Sequence, residues 1–316
     1  MALPTYAKMH RTKLIGAAAE TTYGTSVLGS VTTALAMHIV DAHMEPVDFL
    51  GGGERRPHGN FAGKLGSAVG KRMGRLRFRE ICRHGAGFTT LLPACWLKNA
   101  AGTYSPSTAL SDQVCMSIKL WEKSGNAAAS PNADYKALVG ALGTFTQTFS
   151  AGEPLYRDWE FIGVWQTPTA EAMPTPTVAP TPLRYTHFST LTIGGATVPK
   201  VNTVTFSLGN QLEMRSDDTV APNLLHAYIV DRDPKFTFDF EAHLVADYDP
   251  FAKLTAGTLQ ALNAVLTDGT NTLTMTAPNL QRAELPSGQR SVASTVTETL
   301  DCVISSGNDE VTFAEA

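Results

Sequence analysis

Charge is scarce in this chain. Of its 316 residues, 17% are Asp, Glu, Lys or Arg, against about a quarter in ordinary soluble proteins. A surface so thin in charge fits a protein largely covered by neighbours. The net charge of −4 excludes a chain held on nucleic acid mainly by phosphate contacts. Cysteine is sparse and dispersed: Cys82, Cys95, Cys115 and Cys302 show no C-x-x-C spacing. That excludes a cysteine zinc site and reads as small buried hydrophobes in a reducing compartment. No run of 18 apolar residues is present to span a bilayer as a helix. Met1 to Lys13 lacks the apolar core of a signal peptide. The expectation is a protein made and folded in a cytoplasm, without membrane insertion.

Catalytic motifs are missing too. G-x-S-x-G, H-E-x-x-H and G-x-G-x-x-G do not occur. Gly66-Ser67-Ala68-Val69-Gly70-Lys71-Arg72 imitates a phosphate loop but fails on spacing, and Arg72 replaces the hydroxyl that would hold magnesium. The eight histidines are scattered. No residue is assigned a catalytic, cofactor-binding or metal role, and the chain is read as not an enzyme.

What is present is organised in blocks. Residues 1–34 are small and polar and read as an N-terminal arm. Residues 35–165 read as a first β-rich domain, interrupted by a basic, Gly-rich loop at 51–75. The stretch 51–80 carries Arg55, Arg56, Lys64, Lys71, Arg72, Arg75, Arg77 and Arg79 against Glu54 and Glu80. Such a loop can attract an acidic body on another copy. Met116 to Trp121 alternates as a half-buried strand; Leu142–Phe149 and Trp159–Trp165 read as strands by composition. Five prolines in 166–184 (Pro168, Pro174, Pro176, Pro180, Pro182) favour an extended linker. Residues 185–316 form a second β-rich domain, with strands near 203–208, 236–244, 272–276 and 295–304. Asp249 before Pro250 caps an expected helix over 250–266. Each half has strands, a short helical stretch (Leu91–Leu97 in the first) and more strands, which points to duplication of one β fold without residue-level identity.

Lys235 to Leu244 places Phe236, Phe238, Phe240, Ala242 and Leu244 on one face, with Thr237, Asp239, Glu241 and His243 on the other. A slip of one residue would bury two carboxylates, so the register is fixed. Asp239 and Glu241 are candidates for an anionic lining that lets a polyanion slide.

Three patterns, in order, resemble the tail tube proteins of long, non-contractile phage tails: Glu20-Thr21-Thr22-Tyr23-Gly24-Thr25, Gly140–Phe145 followed by Ala151–Pro154, and Thr205–Asn210 followed by Val230–Pro234. The resemblance implies a mainly β fold, a β-sandwich or partial barrel with a flanking helix, here in two tandem domains. It implies a virion protein, assembled in the host cytoplasm, that stacks with itself in rings around a DNA channel and meets other tail proteins at the tube ends. Three chains would imitate six-fold symmetry, with hexameric rings as the alternative, and contact with passing DNA would be transient and non-specific. Asp239 and Glu241 would then face the lumen, and Arg55, Arg56, Lys64, Lys71, Arg72, Glu20 and Tyr23 would contact neighbouring subunits. A tail-end or hub protein, or a secreted β-sandwich adhesin or carbohydrate-binding module, are the alternative readings.

Overall fold

The computed structural model describes residues 8–47, 70–83, 86–124, 131–175, 187–198, 200–220, 223–246 and 248–316. Among them every strand pairing is antiparallel, and 17 strands form one sheet that does not close into a barrel. The first half comprises β1 (Lys8–Ala19), β2 (His38–Val47), β3 (Met73–Ile81), α1 (Ala86–Leu91), β4 (Leu97–Ala100), β5 (Thr103–Pro106), β6 (Met116–Ser124), β7 (Ala133–Ser150) and β8 (Tyr156–Glu171). The second comprises β9 (His187–Ile193), β10 (Ala196–Thr197), β11 (Val201–Ser207), β12 (Asn210–Ser216), β13 (Leu224–Arg232), β14 (Lys235–Glu241), α2 (Pro250–Thr255), β15 (Gln260–Thr267), β16 (Thr272–Glu284), β17 (Ser287–Arg290), β18 (Ala293–Val303) and β19 (Thr312–Glu315).

The two halves repeat one connectivity. In the first, the ladders run β1–β6–β7–β8–β3–β2. In the second, they run β9–β15–β16–β18–β14–β11. Numbered by order in the chain, these are the same six positions, with a short helix after the third strand each time. Irregularities coincide as well. The β2–β3 ladder shifts register between Ile39 and Asp41, and β11–β14 shifts between Val201 and Thr203. The β6–β7 ladder shifts between Met116 and Ile118, and β15–β16 between Gln260 and Leu262. A β-bulge is a specific feature that bends a strand, so shared bulges fix the correspondence: Asp41 stands where Thr203 does, Arg79 where Asp239 does, and Glu80 where Phe240 does.

The halves are joined edge to edge. β6 covers one edge of β7 as far as Ala141, and Thr146–Ser150 on that same edge pair with Ser207–Thr203 of β11. One apolar core runs through both halves. Phe145 meets Phe206 at 5.9 Å, and Phe206 meets Phe236 at 4.7 Å. Each fully buried phenylalanine contributes roughly 1.5–3 kcal/mol. The core also holds charge. Arg157 donates to Glu80 at 2.8 Å, both nearly inaccessible, in the cross-strand position that Phe240 and Val296 occupy in the second half. The second half has its own buried pair one step away, Arg282 with Glu298, which also accepts from the Tyr248 hydroxyl at 2.9 Å. The cysteines pack as hydrophobes: three are buried and Cys302 is half-buried. Burial pushes their thiols up, Cys115 to about 12.

Several expectations are corrected. Only Pro250–Thr255 of the expected 250–266 helix is helical, capped by Asp249, whose carboxylate accepts from the Ala252 amide at 2.9 Å. Gly257, at φ +60°, sits in the break, and from Gln260 the period is two: Leu262, Ala264 and Leu266 are buried between β9 and β16. The strand at 235–244 ends at Glu241, leaving Ala242 and Leu244 exposed. β6 is buried on both faces, Ser117 and Lys119 included, because residues 20–34 fold back over it; the Val27 amide donates to Ser117 Oγ at 3.1 Å. Over residues 8–34, therefore, the expected outreaching arm is packed on its own chain. Gln166–Glu171, expected in the linker, extend β8. Pro168 fits there because it falls in the register shift opposite Tyr135–Ala137, and the β3 ladder has already ended at Val164.

Candidate functional site

Because β7 pairs with β11, eight strands run side by side: β2, β3, β8, β7, β11, β14, β18 and the β16–β17 course. Alternation sends one set of side chains into the core and the other to a single polar face. One row can be followed across all eight: Asp41, Arg79, Asp158, Thr146, Ser207, Lys235, Asp301 and Gln281. The next row contains Thr148, Thr205, Thr237 and Thr299 side by side. Threonine is a good strand former and presents a polar, uncharged surface.

Asp239 and Glu241 lie on this face, with Phe236, Phe238 and Phe240 buried opposite. The two carboxylates are tethered. Arg290 donates to Asp239 at 2.7 Å, and Lys200 lies 3.4 Å from Glu241. In the first half, Arg75 and Arg77 both reach Glu160, at 3.1 and 3.0 Å, and Arg79 grips Asp158 through two hydrogen bonds of 2.7 and 2.8 Å. Part of the basic run is thus a strand face neutralised by acids of β8. Half-exposed pairs of this kind contribute at most about 1 kcal/mol each; their effect is to hold cations that a polyanion would otherwise recruit.

The subunit-contact candidates separate. Arg55, Arg56 and Lys64 lie outside the described residues. Lys71 and Arg72 are exposed just before β3. Glu20 is buried within its own chain, accepting from Ser117 Oγ at 2.7 Å, the Gly140 amide at 2.8 Å and the Gly24 amide at 2.9 Å. Burial holds its carboxyl above the usual range, while those three donors pull it back. Tyr23 keeps an exposed ring stacked on His226 at 5.3 Å, its hydroxyl within 2.7 Å of the Leu110 carbonyl and 2.6 Å of the Gln113 carbonyl. Glu20 therefore holds the 20–24 turn on β6 and β7, and Tyr23 and Gly24 seat that turn against His226 and Leu225 of β13, a role that the spacing of the motif did not reveal. Among the described residues, no group of three or more His, Cys, Asp or Glu side chains is arranged to hold a metal, and no helix is long and apolar enough to cross a membrane.

Comparison with protein families gives one match, to the model described as phage tail tube protein, over residues 82–303. The chain belongs to the phage tail tube protein family. The match runs from just after β3 to the end of β18, so it covers the later part of the first half, the junction and nearly all of the second half. No curated protein matches the chain. The family is structural rather than enzymatic, and this tail tube protein is a structural component of a phage tail; the family implies self-assembly and association with other tail proteins.

Proposed function

We propose that this tail tube protein polymerises as stacked rings that form the tail's conduit for DNA, with the polar face of the eight-stranded sheet turned to the lumen. Each chain supplies two tube-type domains, the first running from β1 to the end of β8 at Glu171 and the second from β9 to β19, and three chains make a ring of six such domains. The observation carrying this reading is the single continuous face, with threonines at the junction and cations such as Arg77, Arg79, Lys235 and Arg290 held in ion pairs with carboxylates. Such a wall offers a DNA phosphate little to bind by counterion release. Asp239 and Glu241 stand on it as part of the repulsive lining. The chain performs no catalysis in this role.

The test is the double change Asp239→Lys and Glu241→Lys in the virion. Tubes should still assemble, because both side chains are surface groups on an intact strand. DNA ejection should slow, and added salt should relieve the defect by screening. An ejection rate untouched by the double change would refute the lumen assignment.

A further inference from the structure

The hairpin of β12 and β13 is anchored at both ends. At its root, Asn210 donates to the carbonyls of Cys95 and Gly143 at 3.0 and 2.9 Å, and Arg232 is paired with the buried carboxylate of Glu310. Toward its tip it is clamped to the first half through His226. That ring stacks on Tyr23 at 5.3 Å, with 27° between the planes. Gly24 and Gly140, both at positive φ, lie so close that a Cβ on either would strike Leu225 or His226. Among the described residues no polar group bonds His226 Nδ1, which is sealed from solvent.

That nitrogen decides which charge state fits. A neutral imidazole can leave Nδ1 as a bare acceptor. An imidazolium carries an N–H on both ring nitrogens, and the one at Nδ1 would be buried with nothing to accept it, a costly state for a charged donor. The charged and titratable groups around the ring do not offset that cost. Arg215, across the hairpin, repels a second cation. Asp217 beyond it accepts from Thr219, and Glu213 accepts from Tyr228. Glu20, in the facing turn, is occupied by three donors. β7 presents only Gly140. The Tyr23 face attracts a cation weakly at a site open to water. Burial first, and Arg215 second, hold the imidazole below its ordinary value.

We propose that His226 is an acid-sensitive catch: when its ring is charged, the outer part of the hairpin lifts off the 20–24 turn and β7, turning on the root at Asn210 and Arg232. The sign follows from linkage. A base with a depressed value in the closed state contributes stability above its free value, about 6.5 for imidazole. That stability is lost as pH falls from there through the closed-state value. The root contains no histidine, so it keeps its hold in that window. The seat beneath the hairpin is loosely packed: a cavity of about 290 Å³ lies among Met73, Ile162, Leu212 and Met214. Side chains lining a void forfeit contacts on that side, so the sheet opposes lifting weakly. The catch works the same whichever way the polar face turns.

Hydrogen exchange of the full-length chain at about pH 7.5 and about pH 5, each amide corrected for its own intrinsic rate, tests the catch. Amides of Met214–Ser216 and Leu224–Ala227 should open more readily in acid. The gain should be several-fold and at most about 30-fold, the ratio of charged to neutral free imidazole near pH 5. Amides at Asn210, at Arg232 and in β8 should not respond. His226→Phe keeps a ring on Tyr23 but takes no proton; it and His226→Gln should both remove the response. In an NMR titration, the His226 ring of the parent chain should take its proton at lower pH than free imidazole. A hairpin that ignores pH in the parent chain would overturn the catch. So would acceleration that survives in either variant or spreads equally to the root and β8, or a ring that titrates at or above the free value.

Discussion

Gly140→Ala tests the clamp between the halves directly. Gly140 has φ +61°, and a Cβ built there would meet His226 Cβ at 2.7 Å and its Cα at 2.9 Å. Two costs follow. A left-handed backbone costs a residue with a Cβ roughly 1–2 kcal/mol. Overpacking against backbone, which cannot swing aside as a side-chain tip can, adds about 1–3 kcal/mol. Gly102 is the control: its φ is +86°, but nothing lies within 4 Å of a Cβ there, so Gly102→Ala carries only the first cost. Urea unfolding should show Gly140→Ala losing about 2–5 kcal/mol, and Gly102→Ala about 1–2. The thermal midpoint of Gly140→Ala should fall by roughly 4–10 °C, at about 2 °C per kcal/mol for a chain of this size. The steric part also acts where β13 seats on β7, so Tyr23 and its stacked His226 should become more accessible to hydrogen exchange in that variant alone. Equal losses at the two glycines would show that the close approach of His226 is not a constraint, and the clamp would have to be abandoned.

Arg157→Met leaves Glu80 buried without its cation, a loss of about 3–5 kcal/mol measurable by urea unfolding. Burial already holds the Glu80 carboxyl above the glutamate range, and removing the arginine raises it further. As pH falls, the folded chain then takes up that proton before the unfolded chain does. Stability tied to it is complete below the unfolded value and lost as pH rises through the folded one. The deficit of Arg157→Met should therefore shrink between pH 7 and pH 4.5; a pH-independent deficit would place the effect elsewhere. Deleting residues 51–70 should leave a folded subunit that no longer polymerises, read by circular dichroism and sedimentation; normal tubes would exclude that segment from assembly.

The mainly β fold was legible because strands such as 235–241 alternate phenylalanine with polar residues. The reading failed where periodicities overlap: Leu254, Leu259, Leu262 and Leu266 fit a helical stripe, while Leu262, Ala264 and Leu266 fit a strand, and the strand wins because β9 and β16 flank it. The repeat could be suspected only in outline. Equivalent positions share burial, not chemistry, as Glu80 against Phe240 and Arg157 against Val296 make plain, and shared bulges are invisible without hydrogen bonds. The motif singled out Glu20 as a subunit contact, and nothing in its spacing says that the groups donating to its carboxylate, Ser117 and Gly140, lie on strands of its own chain beside it.

Two strand sets of one topology in a single chain create a hazard: during folding, a strand of one could take its counterpart's place in the other. The buried charges oppose that error. β3 inserted in place of β14 would set Glu80 against Val296, a carboxylate sealed in beside an Arg282 already committed to Glu298. The reverse exchange would set Phe240 against Arg157. Each mistake strands one buried charge, at a cost of about 3–5 kcal/mol, while the correct arrangement strands none. The ion pair adds little to native stability over the apolar pair it mirrors; what it supplies is discrimination, a lock that keeps modules of the same connectivity from trading strands.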